Sequence, residues 1–165
     1  MVGEPARQRV KLSLITVGKL RRGPEAAMIE DYLTRFDRIG RQMGLGPASI
    51  IEVEDKKGGG KSAEAALLAK ALPENTILVA LDEHGKLLTS PQFANKLEGW
   101  RDSGQRDLAF IIGGADGLDA SLLARADLRL SFGKMVWPHM LARVMLTEQL
   151  YRAASILSGA PYHRV

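Results

Sequence analysis

Apolar and polar positions change period several times along the chain. Val10–Val17 (VKLSLITV) alternates and stops at Gly18, which predicts a strand. From Pro24 to Ile39 apolar residues recur at Ala26, Ile29, Leu33 and Phe36, a helical period with proline in the first turn. Ser49–Val53 reads as a second strand, and Ser62 is placed to cap a helix through about Leu72. Thr76–Leu81 (TILVAL) and Leu108–Ile112 (LAFII) are unbroken apolar runs, the signature of parallel strands buried on both faces. Between them, Ser90-Pro91 predicts a cap followed by proline at the first helical position, with the helix running to about Asp102. Asp119 should cap a short helix to Ala126. Leu128–Phe132 (LRLSF) is the fifth strand. Pro138 opens a long last helix that closes before Gly159.

Strands and helices that alternate in this way predict an α/β fold, a mainly parallel sheet of five to six strands with helices on both faces. Ligands of such sheets bind at the carboxyl ends of the strands. The loops after Leu81, Ile112 and Phe132 are therefore the ones to inspect. The 165 residues fit one domain, residues 10–165, behind a short variable tail, residues 1–9, and contain no repeat or low-complexity tract.

Composition narrows the chemistry. There is no cysteine, which excludes a disulfide framework, a thiolate nucleophile and a Cys-ligated metal. Three histidines leave little for a His-rich centre, so no metal is expected. No apolar run is long enough for a membrane span and the start has no secretory core, so a cytoplasmic protein without membrane contact is expected. The net charge is +4, and its placement is uneven. Residues 1–42 hold nine Lys/Arg against five Asp/Glu, while the rest of the chain balances. In residues 134–165, Lys134, Arg143, Arg152 and Arg164 face only Glu148. Basic ends are compatible with an acidic partner such as RNA, or simply with a mixed soluble surface.

The loops carry the candidate chemistry. Gly58–Ser62 (GGGKS) falls short of a phosphate-binding P-loop, because that motif needs glycine where Asp55 stands. It reads as a flexible loop whose lysine could still meet a phosphate. Gly113–Gly117 (GGADG) follows a buried strand, but it lacks the G-x-G-x-x-G spacing of a dinucleotide site. A tight turn and a cofactor loop remain equally open there. Phe132–Trp137 (FGKMVW) places Phe132, Met135, Val136 and Trp137 around Gly133 and Lys134. Such a loop either packs into the core or is covered by an adenine ring or a partner subunit. His139 and Arg143 are four apart on the last helix and could share a face, although a lone histidine at a helix start is more often structural. Glu148 and Arg152 form a second such pair, read as a solvated ion pair. At the very end Tyr162, His163 and Arg164 stand consecutively, residues able to stack on a base, carry a proton and hold a phosphate.

Taken together, ITVGKL, LDEHGK, FIIGGADGL, LSFGKMVWPHMLARVMLTEQLYRA and the ending PYHR resemble the large-subunit rRNA methyltransferase H family of SPOUT-class enzymes. The resemblance runs from about Lys11 to the end. It implies S-adenosylmethionine as cofactor and methylation of N3 of a pseudouridine, position 1915 of 23S rRNA, in the assembled ribosome. It also implies a C-terminal trefoil knot and a homodimer with the site at the interface. Carried over, Leu81, Gly113, Phe132, Gly133, Lys134, Met135, Val136 and Trp137 would bind the cofactor. His139, Arg143, Tyr162, His163 and Arg164 would face the substrate, with Arg143 and Arg164 as anchors, Tyr162 stacking and His163 as candidate proton acceptor. Two readings compete: a nucleotide-dependent small-molecule enzyme on a flavodoxin-like sheet, and a non-catalytic ribosome-binding module.

Overall fold

The computed structural model describes residues 9–164, so the proposed tail, apart from Arg9, and the last residue lie outside the described residues. Five strands form one sheet: β1 (Val10–Val17), β2 (Leu45–Val53), β3 (Ile77–Leu87), β4 (Asp107–Ile112) and β5 (Leu128–Ser131). Their order is β2-β1-β4-β3-β5 and every pairing is parallel. The helices are α1 (Pro24–Met43), α2 (Gly60–Ala71), α3 (Ser90–Asp102), α4 (Ala120–Arg125) and α5 (His139–Ser158).

Alternation along the strands sorts the core into two layers. Leu108, Phe110 and Ile112 join Phe36 of α1, Phe93 and Leu97 of α3, and Leu146 and Leu150 of α5 on one face. Ala109 and Ile111 join Ala65 and Leu68 of α2 and Leu122 of α4 on the other. This is why TILVAL and LAFII read as continuous apolar runs: both faces of those strands are covered.

Local chemistry moves some boundaries away from the expected ones. The cap of α3 is Thr89 rather than Ser90. Its hydroxyl accepts from Gln92 N at 3.2 Å while Gln92 Oε1 accepts from Thr89 N at 2.9 Å, a reciprocal box. Ser90 is thereby released to donate to Gln149 Oε1 on α5 at 2.8 Å. Helix α2 starts at Gly60 and not after Ser62, because the Asp55 carboxylate already accepts from Gly59 N at 2.5 Å and Lys57 N at 3.2 Å. The residue that breaks the P-loop pattern thus closes the loop itself. Asp119 caps α4 as expected, accepting from Ser121 N at 2.9 Å. Strand β3 is longer than TILVAL. Leu81 and Lys86 both align with Leu130 of β5, so Asp82–Gly85 bulge out between them. Gly85 permits this: a Cβ there would lie 2.7 Å from the Arg129 carbonyl.

Candidate active site

The expected loop after Leu81 is the Asp82–Gly85 bulge within β3, and together with the loops after β4 and β5 it surrounds a cleft of about 470 Å³. Leu81, Gly113, Phe132, Gly133, Met135, Val136, Trp137 and His139 line it. Lys134, from the same loop, is exposed and does not. The β4 loop folds back tightly, with Gly117 N donating to Gly114 O at 3.0 Å, and no side chain fits at Gly113. The β5 loop is held at its base by Ser131, whose buried hydroxyl accepts from Gly133 N at 3.1 Å and lies 3.0 Å from Glu83 O in the β3 bulge. Gly133 turns there at φ 128, a conformation for which glycine is suited.

The apolar side chains of this loop are not core. Met135 is 76%, Val136 80% and Trp137 44% exposed, and only Phe132 packs against the apolar interior. Of the two sequence readings of FGKMVW, the structure favours a loop that awaits a cover. Polar groups converge from elsewhere: Lys61 from the first turn of α2, Asp82, Glu83 and His84 from the bulge, and Asp116 from the glycine loop. Sequence reasoning pointed to the loop that holds Asp116 but gave no role to any of the four acidic and imidazole groups. The signal was present in LDEHGK, a polar stretch immediately after a buried strand.

The family model described as predicted SPOUT methyltransferase matches residues 10–163. The chain belongs to the SPOUT methyltransferase family. It is 68% identical over 156 residues to the ribosomal RNA large subunit methyltransferase H of Dinoroseobacter shibae, covering 94% of this chain and all of that protein. Proteins of the same name from Ruegeria pomeroyi and Paracoccus denitrificans are 65% and 59% identical, with 94% of this chain covered in each and 100% and 99% of the relatives.

Within a single chain of this SPOUT methyltransferase, the residues expected on the substrate side do not all meet. His139 lines the cleft, but Arg143 does not. Its side chain is 1% exposed and turned inward. Nη2 donates to Val17 O at 2.6 Å and Gly18 O at 2.9 Å, and Nη1 lies 3.3 Å from Glu52 Oε2. Glu52 also accepts from Leu20 N, so the pair ties α5 to the carboxyl ends of β1 and β2. The expected His139–Arg143 face is therefore split, and Arg143 anchors protein rather than phosphate in this arrangement.

Tyr162 and His163 also lie outside the cleft. They fold back on α5, where Glu148 accepts from the Tyr162 hydroxyl at 3.0 Å and Arg152 pairs with Glu148 at 2.7 Å. The Arg152 guanidinium sits 4.8 Å over the Tyr162 ring, and Tyr151 packs against that ring at 4.5 Å between centroids. Glu148 and Arg152 are thus the hub of a network, not the isolated surface pair their spacing suggested. Glu148 also lines a second cavity, of about 440 Å³, which shares Leu130, Phe132 and Gly133 with the cleft. Arg164 is exposed.

Burial and the Glu148 carboxylate push the Tyr162 phenol up to about 12 from its ordinary 10.0. Its folded pKa is raised, so its contribution to stability is complete below pH 10. It is lost as the pH climbs towards 12, because the unfolded chain releases the proton first. An absorbance titration of tyrosinate should show one phenol ionising after the rest. Tyr162→Phe should remove that late step, and no late step in the unaltered chain counts against the docked tail.

Proposed function

We propose that this chain methylates N3 of a pseudouridine in the 23S rRNA of the assembled large subunit, using S-adenosylmethionine, and that it does so in the cytoplasm as a homodimer. The observation that carries the reading is the cleft: seven of the eight residues the resemblance assigns to the cofactor line it together, from β3 at its bulge and from the loops after β4 and β5. The relatives' name, ribosomal RNA large subunit methyltransferase H, supports the substrate.

The residues present suit that cofactor. The exposed apolar side chains of Met135, Val136 and Trp137 fit a purine that needs shelter from water. Asp82 and Asp116 offer carboxylates for hydroxyl and ammonium groups, and Lys61 offers a cation for a carboxylate. When bound, the cofactor supplies an electrophilic methyl on a sulfonium. The chain itself holds the base in line and excludes water, which requires no covalent nucleophile and agrees with a sequence that has no cysteine. Lys134, in the same loop, is exposed, so a phosphate could reach it.

A second copy is part of the proposal. Tyr162, His163 and Arg164 lie outside the cofactor cleft of their own chain. Exposed Met28 and Leu87 line the second cavity, and Leu141 is exposed in the first turn of α5. Pairing two chains would cover these apolar groups and bring one tail to the shared rim. The knot implied by the resemblance belongs to the same proposal, as the path of the chain from β5 into α5.

Calorimetric titration with S-adenosylmethionine and single-turnover methylation of large subunits lacking the modification test the reading together. Binding with transfer to assembled particles, and weak transfer to naked 23S rRNA, is expected. Such a small domain would read the particle's shape rather than a long RNA sequence. Equal turnover on naked RNA removes the assembled particle from the proposal, and absence of cofactor binding removes the enzyme.

A further inference from the structure

The tail contact fixes more than the position of His163. Glu148 Oε1 accepts from Arg152 Nη2 at 2.7 Å, from Arg152 Nε at 3.0 Å and from the Tyr162 hydroxyl at 3.0 Å. Glu148 Oε2 accepts from Gln149 Nε2 at 3.0 Å. Two nitrogens of the Arg152 guanidinium are thereby set, and the remaining one, Nη1, lies 3.1 Å from Nδ1 of His163. A guanidinium has only donors and is not deprotonated in proteins. The Nδ1 atom it faces must therefore present its lone pair. A neutral imidazole with a lone pair at Nδ1 carries its single hydrogen at Nε2.

We infer that Arg152, oriented by Glu148, holds His163 as the neutral Nε2–H tautomer, so that His163 meets the substrate as a hydrogen-bond donor and not as a proton acceptor. This inference rests on the reading of the tail as substrate-side. Its chemistry reverses the role expected from the sequence. The lone pair that could take a proton is already committed to the Arg152 guanidinium, 3.1 Å away. The free edge, Nε2–H, suits an oxygen of the RNA, such as a base carbonyl beside the reacting nitrogen. Arg152 and Glu148 act through His163 and are positioning residues. Packing holds both of them in place, since their side chains are 25% and 16% exposed and Tyr162 closes over the pair.

The tautomer is readable without RNA or cofactor. In the full chain carrying 15N-labelled histidine, long-range 1H–15N correlation near neutral pH assigns each ring, with His163 identified by its loss in His163→Gln. The expected spectrum has a protonated Nε2 and a bare Nδ1. In Arg152→Gln the ring should become a mixture of tautomers, whereas Arg152→Lys, which keeps a cationic donor, should preserve the bias in part. A bare Nε2 or a doubly protonated ring in the unaltered protein overturns the inference.

Single-turnover methylation supplies the second readout. The side-chain amide introduced in H163Q can donate but cannot serve as a base. H163Q should therefore stay within about tenfold of the unaltered enzyme while H163A falls about a hundredfold, with cofactor affinity unchanged in both. Equal losses in both variants overturn the donor role. If the unaltered protein binds no cofactor and methylates nothing, the functional reading fails, while the spectrum still decides the tautomer.

Discussion

Replacing Arg143 with alanine is expected to lower the unfolding free energy by about 3 kcal/mol. The side chain is the largest of the fully buried ones, and its loss leaves both a void and orphaned acceptors. Val17 O and Gly18 O lose their charged donor, and Glu52, which is 29% exposed on its side chain, loses its counter-ion. The partial exposure of Glu52 keeps the effect below that of a fully sealed pair. Burial lowers the Arg143 pKa and Glu52 opposes the change, but arginine starts so high that the guanidinium stays charged. Urea unfolding monitored by tryptophan fluorescence measures the loss. Arg143→Lys should fall between, since an ammonium keeps the charge but cannot span Glu52 and two carbonyls at once. A stability for the alanine variant within about 0.5 kcal/mol of the unaltered chain would return Arg143 to the substrate-side role its place in the sequence suggested.

Gly113→Ala should abolish or weaken cofactor binding by at least about tenfold, or about 1.4 kcal/mol, with a smaller effect on folding. A Cβ at this position would lie 2.5 Å from Gly117 O, 2.6 Å from its carbonyl carbon and 3.1 Å from Leu118 N. All three are backbone atoms, so no rotamer change relieves the clash. The loop must open, and it is the loop that forms one wall of the cleft. Gly114→Ala is the control. Its Cβ would meet the Glu64 carboxylate at 3.3 Å, the end of a side chain that can swing away. Calorimetry on both variants should separate them clearly. Normal affinity in Gly113→Ala would detach the glycine loop from cofactor binding.

Much of the frame was legible in the sequence because local rules and packing agreed there. β1 has the bounds its alternation predicts, Asp119 caps α4, and α5 begins just after Pro138 and ends at Gly159, which takes the left-handed conformation at φ 76. The buried runs of β3 and β4 require cover on both faces, and that alone directed attention to the loops at their carboxyl ends. The resemblance then named eight residues for the cofactor, seven of which line the cleft.

What remained hidden depends on partners distant in the chain. Gly85 looks like any turn glycine until β5 brings the Arg129 backbone against it, and the bulge that carries Asp82 and His84 follows from that approach. The i,i+4 spacing of His139 and Arg143 describes an isolated helix. It cannot say that the ends of β1 and β2 present two bare carbonyls and Glu52 to one of them and the cleft to the other.

The sequence by itself determined the fold class, the parallel sheet, the segments that line the cleft and, through resemblance, the family. These are properties of short-range periodicity and residue type. Tertiary structure alone decided that Arg143 turns into the protein interior, that Glu148 and Arg152 grip the tail, and that His163 faces the guanidinium through Nδ1. Those assignments depend on where a charged or polar atom finds its partner, and a buried donor or acceptor takes the partner that folding brings to it, however far away that partner lies in the chain.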